Sequence, residues 1–294
     1  MNSRKFALIL ALIVTFLWSS SWILIKFGLS DIPPLAFAGL RYAIAFIGLL
    51  VVGALTGRLK RLQQLDQSDW IPLALYGLVF ITLTQGAQFL ALSMLPAVSV
   101  SLVLSFTPLL VALLGWRLLN ERPTHRQFLG IGIFLGGIAL YFYPYTGLSQ
   151  SVPGLLVAGF GLVVNAFSAL LGRKLNQRHT LDAYSVTLIS MGFGSVTLLL
   201  ISLPISGFPS LSLINWGALL WLGLINSALA FTLWNLALRS LSALESNLIN
   251  NTMLIQVAIL AYLFLGETLS PLQLLGIALV ASGILLAQLK KRTA

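Results

Sequence analysis

The chain has 294 residues, 58% of them hydrophobic and 8% charged, with a net charge of +10 and no cysteine. A soluble domain usually carries about 25% charge, so folding in water would leave large apolar surfaces exposed, and the lack of cysteine removes disulfides, thiolate nucleophiles and cysteine metal sites. The basic surplus does not indicate nucleic acid, because the Lys and Arg residues sit in short stretches between apolar segments rather than on one soluble face.

Apolar runs of about 20 residues, enough to cross roughly 30 Å of hydrocarbon, predict helices at 6–25, 34–56, 70–92, 97–117, 126–143, 153–172, 182–203, 214–238, 243–265 and 271–289. The predicted class is an all-α integral membrane protein of ten transmembrane helices. The basic start, Met1 to Lys5, and the apolar run after it read as a retained first helix, since no A-x-A-like cleavage site follows. Longer loops are expected at 57–69 and 173–181, and both histidines fall between spans. Thr124-x-x-Gln127, Ser242-x-x-Glu245 and Ser270-Pro271-x-Gln273 fit capping boxes. Asp69 before Trp70-Ile71-Pro72 reads as another helix start. Gly132-x-x-x-Gly136 predicts close helix packing within the chain.

With the N-terminus in the cytoplasm, all of the 17 Lys and Arg fall on that side except Lys26, at the outer end of helix 1, and Arg41, inside helix 2. This asymmetry predicts cytoplasmic termini. Small size and the absence of cysteine and organelle signals suggest a bacterial cytoplasmic membrane.

The chain repeats itself. Residues 77–140 align without a gap on 223–286, an offset of 146, with 21 of 64 pairs identical. Ten of these are leucines, but Gly77, Ala91, Glu121, Gln127, Gly130 and Gly137 also meet identical partners. Helix 1 matches helix 6 at an offset of 147, pairing Ser21 with Ser168 and Lys26 with Arg173. Five helices per repeat is an odd number, so the units 1–146 and 147–294 are expected to be inverted in the membrane around a central cavity. Inverted repeats are a signature of secondary transporters.

Trp18-Ser19-Ser20-Ser21-Trp22 through Lys26, Pro34 through Arg41-Tyr42, Leu119-Asn120-Glu121 to Gly130, and Leu265-Gly266-Glu267 to Gly276 form one pattern, continued by Gly136-Gly137 and Ser282-Gly283. In this order the sequence resembles the EamA-type transporters of the drug/metabolite transporter superfamily. The resemblance implies export of small metabolites, often amino acids, through a cavity lined by helices 1–4 and 6–9, with helices 5 and 10 outside that core.

Polar groups in hydrocarbon are costly and tend to face a cavity or another helix. The candidate substrate-binding residues are Trp18, Ser21, Thr84, Gln88, Ser101, Ser105, Asn165, Ser168, Trp234, Asn247 and Asn251. The repeat pairs Ser101 with Asn247, Ser105 with Asn251, Gln88 with Trp234 and Trp18 with Asn165. For each serine, packing glue between helices is the competing role, and for Trp22 an interfacial anchor competes with the cavity. Thr84 and Gln88, four residues apart, are expected on one helix face. Arg41 is expected about 10 Å into helix 2, snorkelling or structurally paired, with a substrate carboxylate as the alternative. Glu245 is read first as a capping residue and second as a charge partner, and Lys26 as an interfacial charge.

The sequence thus predicts a secondary transporter exporting amino acids or related amphipathic solutes by alternating access, without cofactor, metal or nucleic acid, as a monomer or a homodimer. A multidrug-cation exporter of the small type would need a glutamate in helix 1, which is absent. A nucleotide-sugar or phosphate-ester exchanger would need several Arg or Lys, and an intramembrane enzyme lacks nucleophile–base pairs. A channel stays open as an alternative. With no deeply buried carboxylate, facilitated transport is expected rather than proton coupling.

Overall fold

The structure is a computed structural model that describes residues 3–95, 97–119, 124–141, 143, 151–178, 180–253, 255–257, 259–260 and 270–288. Every regular element among them is helical, as expected where backbone groups have no water to bond to. The elements are α1 (Ser3–Gly28), α2 (Pro34–Leu55), α3 (Gln67–Met94), α4a (Ala97–Leu104), α4b (Thr107–Leu119) and α5 (His125–Tyr141). They continue as α6 (Val152–Asn176), α7 (Ala183–Ser206), α8 (Leu213–Leu238), α9 (Ala243–Asn250) and α10 (Pro271–Gln288). By length and composition α1, α2, α3, α6, α7 and α8 can each cross a bilayer. The chain is a multi-pass membrane protein.

The loop expected at 57–69 is largely a 3-10 turn, Arg58–Gln64, and much of the one at 173–181 is the end of α6. The three capping boxes form: Thr124 and Gln127, Ser242 and Glu245, and Ser270 and Gln273 each exchange side-chain and backbone hydrogen bonds. Asp69 is not a cap. It lies inside the first turn of α3 and pairs with Arg178 at 3.0 Å. Glu121 and Glu267 lie outside the described residues.

Two irregularities recur at the repeat offset. α3 widens into a π-helix at Leu78–Gln85 and α8 at Leu224–Leu229. In each, a hydroxyl bonds a carbonyl five residues back: Thr84 to Val79 at 2.8 Å, and Ser227 to Leu222 at 2.9 Å. The helical ladder also breaks at Ser105-Phe106, before Pro108, and at Asn251-Thr252, with helical turns resuming beyond.

Glycines set the close crossings. α2 runs antiparallel to α7, with Gly39 against Leu199, Phe46 against Gly192 and Gly53 against Tyr184. Gly77 of α3 meets the Ser190 backbone of α7, and Gly223 of α8 meets Ile44 of α2. α5 and α10 are antiparallel too, with Gly130 facing Gly283 and Gly137 facing Gly276. This corrects the expected use of Gly132-x-x-x-Gly136. Both glycines are exposed, and a methyl added to either would meet nothing within 4 Å, whereas Gly130 and Gly137, two turns apart, form the seam.

Charges follow the same plan. Lys26 is not a free interfacial charge. It donates to the Leu92 and Leu95 carbonyls at the end of α3, at 3.1 and 3.4 Å. Arg173, its counterpart, donates to the Leu238 carbonyl at the end of α8, at 2.5 Å. A cation placed on orphan C-terminal carbonyls complements the helix dipole.

Candidate functional site

A cavity of about 180 Å³ lies among α1, α2, α3, α4a, α6, α8 and α9. Of the residues singled out from sequence, Trp18, Ser21, Arg41, Gln88, Ser101, Ser105, Asn165, Ser168, Trp234, Asn247 and Asn251 line it. Thr84 and Glu245 do not. Gln85, three residues before Gln88, shares the cavity face with it instead of Thr84. Thr84 is spent on the Val79 carbonyl. Glu245 serves the capping box and an ion pair with Arg4 at 2.6 Å.

The lining differs from the expected helix set at two places. None of the lining residues comes from α7, and Tyr141 at the end of α5 reaches in. The aromatic part was also missed. Tyr42, Tyr76, Phe80 and Phe231 line the cavity, and Phe231 is their hub, with ring centroids 4.8 Å from Trp18, 5.1 Å from Phe80 and 5.8 Å from Tyr42. Aromatic side chains give no polar signal in an apolar sequence, but the repeat offset places Phe231 at the position of Gln85.

The two walls are chemically unlike. At equivalent positions the α1–α8 side carries Trp18, Trp22, Phe231 and Trp234 where the α6–α3 side carries Asn165, Ala169, Gln85 and Gln88. α1 packs on α8 and α6 on α3; at these positions the α1–α8 side is aromatic, and the α6–α3 side adds amides to the rings of Tyr76 and Phe80. Trp22 faces this cavity. Trp18 is held by its indole N–H, which donates to the Asn226 carbonyl at 3.0 Å.

Several polar groups are already committed. The hydroxyls of Ser21 and Ser168 donate to the carbonyls of Trp18 and Asn165, each three residues back. Asn247 donates to the Ala243 carbonyl of its own helix at 2.9 Å. Asn165 donates to Thr107 Oγ1 at 3.2 Å, tying α6 to α4b. Asn251 donates to the Ser105 carbonyl at 3.1 Å, so the two break points, one repeat apart, hold each other. Gln88 is half-buried, and no hydrogen bond holds its amide among the described residues.

Arg41 does not snorkel. It is 3% exposed, deep in α2. Its Nε donates to Ser227 Oγ at 2.8 Å and one terminal nitrogen to the Asn226 carbonyl at 3.3 Å, both within the π segment of α8. The guanidinium also lies 5.2 Å from the Tyr42 ring centroid and 6.0 Å from that of Phe89. A π turn leaves backbone groups outside the regular ladder, and such turns gather at functional sites. Here the Asn226 carbonyl accepts from both Trp18 and Arg41.

A helical multi-pass membrane protein with an internal cavity lined by both aromatic and amide side chains is suited to holding a small solute. The chain belongs to the EamA-like transporter family, whose model matches residues 5–143 and 152–289. It is a transporter and not an enzyme. It is 30% identical to the uncharacterized transporter YvbV of Bacillus subtilis, over 97% of this chain and 92% of that one. A probable terminal-alkyne amino-acid exporter of Streptantibioticus cattleyicolor is 26% identical over 97% of this chain and 93% of its own. An S-adenosylmethionine/S-adenosylhomocysteine transporter of Chlamydia trachomatis is 26% identical over 94% and 87%. A crystal structure with 20% identity shares the fold, at a TM-score of 0.77 over 96% of this chain and 98% of that chain.

Proposed function

We propose that this transporter exports amino acids or related amphipathic solutes across a bacterial cytoplasmic membrane, with both termini in the cytoplasm. Two inverted five-helix units, 1–146 and 147–294, alternate access to the cavity between them. The observation that carries the reading is the amphipathic cavity: aromatic rings for an apolar body and amides for polar groups, with Trp18, Trp22, Phe231 and Trp234 standing at positions equivalent to Asn165, Ala169, Gln85 and Gln88. Support for the inversion comes from the π segments and breaks recurring at the repeat offset, and from the antiparallel pairing of α2 with α7 and α5 with α10. The relatives named for an amino acid and for S-adenosylmethionine suit the same solute class.

Uptake of labelled amino acids into proteoliposomes tests this directly. Transport is expected without a pH gradient, and a gradient is expected to change its rate less than about twofold, because no carboxylate lines the cavity among the described residues. Strong acceleration by the gradient would overturn the facilitated mechanism. Gln88→Ala is expected to slow transport about tenfold with unchanged thermal stability, the amide having no structural bond to lose. Asn251→Ala is expected to reduce stability as well, by about 1 kcal/mol, since it removes the bond to the Ser105 carbonyl that joins the two break points.

A further inference from the structure

We infer that Arg41 and the hydroxyl of Tyr42 form a carboxylate-binding subsite in the cavity, so that the solutes carried bear a carboxylate beside an apolar body. The inference rests on the transporter reading above and narrows it to one substrate chemistry.

Removing a guanidinium from water without a counter-ion is costly. Arg41 is buried in α2, and no carboxylate pairs with it among the described residues. The π segment of α8 engages Nε and one terminal nitrogen, and the other terminal nitrogen has no bond among the described residues. Both bonds go to neutral oxygens, which orient the group without neutralising it. Arg41 lines the cavity, so an occupant can reach its remaining donors. The next residue carries a second unspent donor. Tyr42 also borders the cavity, and its hydroxyl, buried beneath that surface, has no partner among the described residues.

The guanidinium carbon lies 5.2 Å from the Tyr42 ring centroid, and a planar guanidinium supplemented by a phenol O–H matches the two oxygens of a carboxylate. A single fixed cation suits one negative charge, whereas a phosphate dianion would leave charge uncompensated. It also repels organic cations. The amino group of a zwitterion needs a neutral acceptor, and the buried Oδ1 of Asn250, on the cavity lining, has no partner. The aromatic wall begins beside the subsite, with Phe231 5.8 Å from the Tyr42 ring, and receives the apolar body.

The test measures binding to the purified, detergent-solubilised chain by calorimetry. The probes are matched pairs, L-tryptophan and L-tryptophanamide, L-phenylalanine and L-phenylalaninamide, L-leucine and L-leucinamide. At least one acid is expected to bind ten or more times tighter than its amide. Arg41→Gln is expected to erase that preference, and Tyr42→Phe, which keeps the ring and drops only an unpaired hydroxyl, to narrow it about threefold. If Arg41→Gln does not fold, the wild-type ratio and Tyr42→Phe decide. Amides binding as tightly as acids, or a preference surviving in Arg41→Gln, would overturn the subsite while leaving an amphipathic-solute transporter intact. Binding of neither member of any pair would overturn the subsite and the amino-acid reading together.

Discussion

A single methyl group at Gly137 or Gly283 is expected to lower the melting temperature of the purified chain by about 5–10 °C, whereas the same change at Gly136 is expected to be neutral or slightly stabilising. A methyl at Gly137 would lie 2.7 Å from the Val280 nitrogen and 2.8 Å from the Gly276 carbonyl oxygen. One at Gly283 would lie 2.6 Å from the Gly130 carbonyl oxygen. These neighbours are backbone and cannot rotate away, so α5 and α10 must part. Membrane helices gain little from apolar burial against each other and depend on close packing, and overpacking costs about 1–3 kcal/mol. Alanine returns up to about 1 kcal/mol of helix propensity, which at Gly137 offsets only part of the loss. At Gly136, which meets no atom within 4 Å, that gain stands alone. Thermal unfolding in detergent of the three single variants checks the ranking. Equal melting temperatures for Gly136→Ala and Gly137→Ala would show that the seam is not where these contacts place it.

The contrast between adjacent glycines marks what the sequence alone could reach. Helix positions followed from apolar run length, and capping boxes from spacing, because both depend on local chemistry. The repeat aligned Gly130 with Gly276 and Gly137 with Gly283, yet the familiar four-residue spacing drew the packing assignment to Gly132 and Gly136. The spacing in use is seven, which keeps both glycines on one face of α5. Most of the polar part of the cavity lining was legible because hydroxyls and amides stand out in an apolar chain and recur at the offset. Thr84 lies off the lining, its hydroxyl bonded to the Val79 carbonyl inside the π turn at Leu78–Gln85, a turn that no composition announces. For Arg41 the sequence leaves snorkelling, a structural pair and a substrate carboxylate open, because its anchors, Ser227 and the Asn226 carbonyl, are distant in sequence and lie in the second π turn.

Joining α1 to α9 through cysteines at positions 4 and 245 is expected to abolish transport, at least tenfold below the untreated double variant, with recovery when a reducible linker is cleaved. The native chain has no cysteine, so the introduced pair is the only thiol target. Arg4 and Glu245 bring the starts of these two helices together at 2.6 Å. Behind them Ala7, Leu10, Ala11 and Val14 of α1 pack in one apolar cluster with Ala230, Trp234 and Leu238 of α8 and with Ile249 of α9. Deeper still, Ser19 donates to Gln256 Oε1 at 2.8 Å, and Gln256 donates to Thr15 Oγ1 at 3.0 Å. The equivalent positions in the other seam are Ala166, Leu110 and Leu162, where α6 and α4b present apolar side chains, and the bond from Asn165 to Thr107 ties the two helices instead. The α1–α9 seam is thus latched by an ion pair and a chain of directional bonds, the latter worth roughly 0.6 kcal/mol each in a membrane. If the units rock, the latched seam must release for the cavity to reach the basic face of the molecule, and a covalent bridge prevents that. Single-cysteine variants treated with the same linker should transport normally. Undiminished transport in the bridged chain would mean that α1 and α9 stay together throughout the cycle, and that access at this face arises elsewhere.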